Sequence, residues 1–198
     1  MKKIAFIATL LLILSCNTRT TEIRYYPTYP ISEQDSIEKL DLDKTNMNFR
    51  EITNWIGQNQ YNEIRSVIEF KDGQSVKRII PYIRGNGYYR KRNILSITSD
   101  SILIDVGYPI SELKRILKRH YTNNGKYFQY PDSFKHAGVE ITLDTNKTAT
   151  ELKHSLINLT RTFDEVNSEV KDTLQLTFIF DYFRQIPPPP LPPKPDDI

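Results

Sequence analysis

The chain has one cysteine in 198 residues, and only three histidines and seven glycines. A single thiol excludes an internal disulfide, so the fold holds without covalent cross-links. The histidines, His120, His136 and His154, never pair at a metal-ligand spacing such as i, i+4, and no free second cysteine could join them. We therefore expect no metal and no cofactor. The glycines form no phosphate loop, since Gly85-Asn86-Gly87 lacks the following helix and lysine. No Gly-x-Ser-x-Gly elbow is present, and the adjacent acids Asp164 and Glu165 point about 100° apart on a helix, toward solvent rather than a shared proton. Nothing here reads as a catalytic site, and we expect a non-enzymatic protein.

Charge of one sign is lacking too. The chain carries 27 basic and 24 acidic side chains, and the excess lies partly at its start in Lys2 and Lys3. Those lysines precede an apolar run over residues 4–14, closed by Ser15 and Cys16. Eleven helical residues span about 16 Å, too short for the ~30 Å bilayer core, so the run reads as a secretory h-region over residues 1–15. Ile13-Leu14-Ser15-Cys16 resembles the bacterial lipobox, and the lone thiol sits where lipid attachment needs it. The plainer alternative is an ordinary export signal with a chance cysteine. The lipidated form predicts a membrane-held protein of the cell envelope, because a diacyl group plus a further acyl chain anchors stably. Asn17 is not the aspartate retention signal known from some inner-membrane lipoproteins, which favours the outer membrane. Near-neutral mature charge and export both argue against nucleic acid.

Periodicity divides the remainder. Residues 16–31, with Pro27 and Pro30, read as a lipidated tether. Residues 32–92 read as a helix-and-hairpin region. Asn48 and Glu51 form a capping box ahead of the helical face Phe49, Ile52, Trp55 and Ile56. Gly57 offers an end to that helix, with further turns available through Tyr61 and Ile64. A hairpin turns at Lys71-Asp72-Gly73-Gln74. Residues 81–93, rich in Tyr, Gly and Arg, read as a loop.

Residues 93–184 carry the strongest pattern. Two β-rich runs, 93–98 and 101–106, precede a helix capped by Ser111, with Leu113, Ile116, Leu117 and Tyr121 on its apolar face. Lys118, Arg119 and His120 fall in its last turn, where the helix dipole favours cations. A strand over 138–144 alternates Val139, Ile141 and Leu143. Thr148 and Glu151 cap a helix whose stripe is Leu152, Leu156, Leu159, Phe163, Val166 and Val170. Leu174, Leu176, Phe178 and Phe180 alternate along a final strand. The expected fold is α+β: a two-layer sandwich with a ββαβαβ module, both helices on one face of the sheet. The last twelve residues hold seven prolines and predict a polyproline II tail, a spacer or docking peptide, or simply a stop to the last strand.

The ββαβαβ order resembles the periplasmic domain of the ExbD/TolR family. Ile102-Leu103-Ile104-Asp105-Val106, then Pro109-Ile110 and Glu112-Leu113, look like that family's hairpin, proline turn and helix entry. The segment 137–144 looks like its central strand. The resemblance implies an interaction module: a homodimer, a TonB/TolA-like envelope protein partner, or peptidoglycan. It implies a role as accessory to a TonB- or Tol-type transport assembly. The family's transmembrane helix and its proton-linked aspartate have no counterpart in this sequence.

One further stretch stands out. Residues 77–92 hold Lys77, Arg78, Arg84, Arg90, Lys91 and Arg92 without an acid, with Tyr82, Tyr88 and Tyr89 among them. Arg84, Arg90, Lys91 and Arg92 are the candidate contacts for an anionic partner, namely lipid headgroups, peptidoglycan carboxylates or an acidic protein face. The plainer reading is a solvated hairpin rim. A peptidoglycan- or small-molecule-binding lipoprotein is the alternative function these residues suggest.

Overall fold

Among the described residues, capping boxes start two of the three α-helices. The computed structural model describes residues 21–28, 36–84, 90–170 and 173–182. The apolar start read as a signal, Cys16, Tyr88, Tyr89 and the proline-rich end lie outside the described residues. Helix α1 (Phe49–Tyr61) begins where Asn48 Oδ1 accepts from the Glu51 N–H at 3.0 Å and the Glu51 carboxylate accepts from the Asn48 N–H at 2.8 Å. Thr148 and Glu151 repeat this box at the start of α3 (Ala149–Glu169), with bonds of 3.2 and 2.9 Å. The two starts are joined. Lys147 and Thr145 carbonyls accept from the Phe49 and Arg50 N–H groups, donors that a helix start leaves without an internal partner. The expected stripe on α3 is inside as far as Val166: Leu152, Leu156, Leu159, Phe163 and Val166 are buried, while Val170 lies just past the helix and is half-buried. Helix α2 (Leu113–Thr122) buries Leu113, Ile116, Leu117, His120 and Tyr121.

Two sheets accompany the helices, and the fold is α+β. Strands β1 (Glu22–Tyr26), β2 (Ile37–Asp41), β3 (Arg65–Asp72) and β4 (Ser75–Ile79) form one, in the order β1-β4-β3-β2. The β3–β4 hairpin turns through Gly73, whose φ of 61° suits a residue without Cβ. Strands β5 (Pro81–Ile83), β6 (Ile94–Ile97), β7 (Ser101–Ile102), β8 (Tyr108–Pro109), β9 (Gly138–Ile141) and β10 (Phe178–Phe180) form the other, in the order β5-β10-β9-β6-β7-β8. From β6 onward the chain runs ββαβαβ, with β8 as a two-residue addition. Leu95, Ile97, Val139, Ile141, Phe178 and Phe180 alternate into one buried cluster shared by α1, α2, α3 and both sheets. Phe49 meets Phe180 there at 5.5 Å between ring centroids.

Several local expectations are corrected. Residues 22–26 are not tether but β1, paired in parallel with β4. Only Tyr26 of that strand is buried, so no apolar alternation advertises it. Residues 81–83 are not loop but β5, paired in parallel with β10. A proline can open a strand at a sheet edge, where its missing donor costs no pairing. The run 101–106 is strand only to Ile102, because Asp105 and Gly107 take positive φ values of 52° and 84° in a turn. Ser111 does not cap α2; it lies in a 3-10 turn, Ile110–Glu112, that leads into the helix. Helix α1 continues through Gly57, where even a Cβ would meet only Ile83 Cγ1 at 3.8 Å.

The edges of the larger sheet are closed in two ways. β5 covers β10, so the last strand of the ββαβαβ unit offers no free ladder. Gln60 on α1 then clips β5: the Ile83 N–H donates to Gln60 Oε1 at 3.0 Å, and Gln60 Nε2 donates to the Ile83 carbonyl at 3.2 Å. At the far edge β8 is two residues long and contains Pro109. Among the described residues no helix is long and apolar enough to cross a membrane.

Candidate functional site

The basic stretch divides when the chain folds. Lys77 leaves it entirely: its ammonium is buried, 2.9 Å from Asp72 and 2.8 Å from Thr160 Oγ1 on α3. Asp72 also accepts from Arg161, and Arg161 foremost, with Lys77, holds the Asp72 carboxyl down to about 2. Arg78 turns along the smaller sheet, 2.6 Å from Glu69 and 2.6 Å from the Tyr25 hydroxyl. Lys77 pins the sheet to α3, and Arg78 ties β4 to β3 and β1.

The other four converge. Arg84, Arg90, Lys91 and Arg92 line one groove of about 660 Å³ with Ile94, Ser96, Leu103, Ile104, Asp105, Phe128 and Gln129. Arg84 follows β5, the 3-10 turn Lys91–Asn93 leads into β6, and Leu103 and Ile104 follow β7. The groove therefore lies over the centre of the larger sheet, where Ser96 and Glu140 occupy neighbouring register positions on β6 and β9. Its size is ordinary for a small-molecule site.

Acids from elsewhere in the chain moderate its charge, contrary to the acid-free impression of residues 77–92. Glu140 is fully buried, 2.7 Å from Arg84 and hydrogen-bonded by the Ser96 hydroxyl. Asp132 takes Arg92 at 2.5 Å and Arg90 at 3.6 Å. The His136 Nδ1 lies 3.1 Å from the same carboxylate and, ahead of Arg92, lowers its pKa. Lys91 has no ion-pair partner among the described residues, and Arg90 is 71% exposed. An incoming anion therefore meets Lys91 and Arg90 first, with Arg84 and Arg92 already oriented by their carboxylates. Charge-assisted bonds of this kind are short and directional, so they fix guanidinium position.

The groove wall carries apolar side chains in contact with water. Phe128 is 86% and Leu103 49% exposed. No sequence pattern marks Phe128, and Leu103 stands out only in the ExbD/TolR-like segment. Phe128 sits in the loop after α2, and only the fold brings that loop to the β7–β8 turn.

The remaining candidates resolve differently. His120 is not a cation at a helix end. It is fully buried, its Nε2 donates to the Gly138 carbonyl at 3.1 Å, and burial pulls its imidazole down to about 4. Asp164 is not free on a solvated face; it accepts from Tyr26 Oη at 2.8 and 2.9 Å and from Arg24 at 3.1 Å. Glu165 instead pairs with Lys114 at 2.9 Å. His154 is exposed. Among the described residues no three His, Cys, Asp or Glu side chains gather to hold a metal. Compared with protein-family models, with curated proteins and with solved structures, the chain matches none of them.

Proposed function

We propose that this chain is a non-enzymatic lipoprotein of the cell envelope, held by lipid on Cys16, and that it binds a small organic anion in the groove lined by Arg84, Arg90, Lys91 and Arg92. One observation carries the reading: four cations that include a nine-residue sequence span close on a single concavity of ligand size. A solvated rim would splay them apart. The Cys16 anchor rests on the lipobox pattern, and an outer-membrane position rests on Asn17.

The test is thermal denaturation of the full chain with a panel of anions: dodecanoate, muramyl tripeptide and inorganic triphosphate. Binding raises Tm by mass action. At least one anion raises the Tm of the wild type and fails to do so for Arg90→Glu/Lys91→Glu. If no anion shifts Tm in a manner that these two residues control, the groove is not a binding site. Radiolabelled palmitate that still enters Cys16→Ala would remove the anchor from the proposal.

A second reading keeps the interaction role of ExbD/TolR-like domains: contact with an envelope protein, as accessory to a TonB- or Tol-type assembly. The ββαβαβ order favours it. Strand addition beside β10 is not its route, because β5 and Gln60 occupy that edge. Affinity capture with folded bait that recovers no envelope transport or cell-wall component counts against it.

A further inference from the structure

We infer that the groove's ligand is a monoanionic amphiphile: one carboxylate, or a head of equal charge, joined to an apolar body. This rests on the reading of the groove as a binding site and narrows what it takes. Charge sets the head. The four cations Arg84, Arg90, Lys91 and Arg92 are opposed by Glu140, Asp132 and Asp105, which leaves one net positive charge. A polyanion such as triphosphate, or a stem peptide with several carboxylates, brings more charge than the site neutralises and also meets Asp105. A single negative head between Lys91 and Arg90 leaves the Arg84–Glu140 and Arg92–Asp132 pairs in place.

Shape and hydrophobicity set the body. Leu103 and Phe128 face the groove with 49% and 86% of their surface in water, and Ile94 and Ile104 line it beside them. Exposed large apolar side chains gathered at a concave site mark where another apolar surface is received. Covering roughly 50 Å² of such surface contributes about a tenfold gain in affinity. A wholly polar anion leaves that gain unused.

Calorimetric titration of the full chain compares dodecanoate below its micellar concentration with dodecan-1-ol, dodecyltrimethylammonium and inorganic triphosphate. Dodecanoate binds, and the neutral, cationic and polyanionic probes bind at least tenfold more weakly. Lys91→Ala and Phe128→Ser each weaken dodecanoate about tenfold. Phe128 is exposed, so its replacement leaves the fold intact and isolates the apolar contribution. Triphosphate binding that depends on Arg90 and Lys91, with dodecanoate inert, overturns the amphiphile but leaves the anion groove standing. Dodecan-1-ol binding as tightly as dodecanoate overturns the role of the charged head. No binding by any anion removes groove and ligand together.

Discussion

Acid should unfold this protein partly through one histidine. The His120 imidazole lies buried on α2, with Nε2 donating to the Gly138 carbonyl and no hydrogen-bond partner for Nδ1 among the described residues. Burial lowers its pKa from 6.5 to about 4. The unfolded chain then binds a proton that the folded one refuses throughout that window. Stability is therefore intact above about pH 6.5 and falls as pH drops toward 4, by about 3 kcal/mol at the lower end. At pH 5 the loss from this one group is about 2 kcal/mol. Other groups titrate as well, so the measurement is a difference. Urea unfolding, followed by the fluorescence of Trp55, is recorded at pH 7 and pH 5 for wild type and His120→Gln, which retains a donor for Gly138. The wild type loses about 2 kcal/mol more than the variant between the two pH values. His136 and His154 are common to both proteins and cancel. Equal losses in the two proteins would refute the buried, neutral imidazole.

Other outcomes follow from the same contacts. Asp72→Asn strands the buried Lys77 ammonium and costs about 3 kcal/mol in chemical denaturation, whereas Lys77→Met leaves Asp72 to Arg161 and costs less than half as much; equal costs would deny the asymmetry. Gln60→Ala frees the Ile83 N–H and carbonyl, and the Ile83 amide then exchanges its hydrogen about tenfold faster by NMR. Thr148→Ala costs about 1 kcal/mol and Thr148→Ser almost nothing, since the hydroxyl is what caps α3.

What the sequence makes legible is what depends on near neighbours. Both capping boxes span three residues, the α3 stripe needs only the helical repeat, and the Gly73 turn is set by its own backbone. What it hides depends on distant ones. β1 is a strand because β4, some fifty residues on, supplies its partner, and β5 because β10 does. Its own three residues, opening with Pro81, carry no period. The groove follows the same division. Arg84, Arg90, Lys91 and Arg92 are visible as a cluster, but Glu140, Asp132 and Phe128 arrive from 36 or more residues beyond Arg92 and decide its chemistry. His120 is an exception of the opposite kind. It lies at helical steps of three and four from Leu117 and Ile116, so its inward face could be counted from the sequence; its positive-charge role at the helix end competed with that count and lost to burial.

The early start of β1 sets a height. Glu22 is the sixth residue after Cys16, and six fully extended residues reach at most about 20 Å. Arg24 and Tyr26 moor that strand to Asp164 on α3, so the leash gains nothing by pulling β1 loose without breaking into the body. With lipid on Cys16, as proposed, the folded part skims the bilayer instead of ranging through the space beyond it. Whatever the groove takes must come to within a protein's width of the lipid surface, which is where amphiphiles collect.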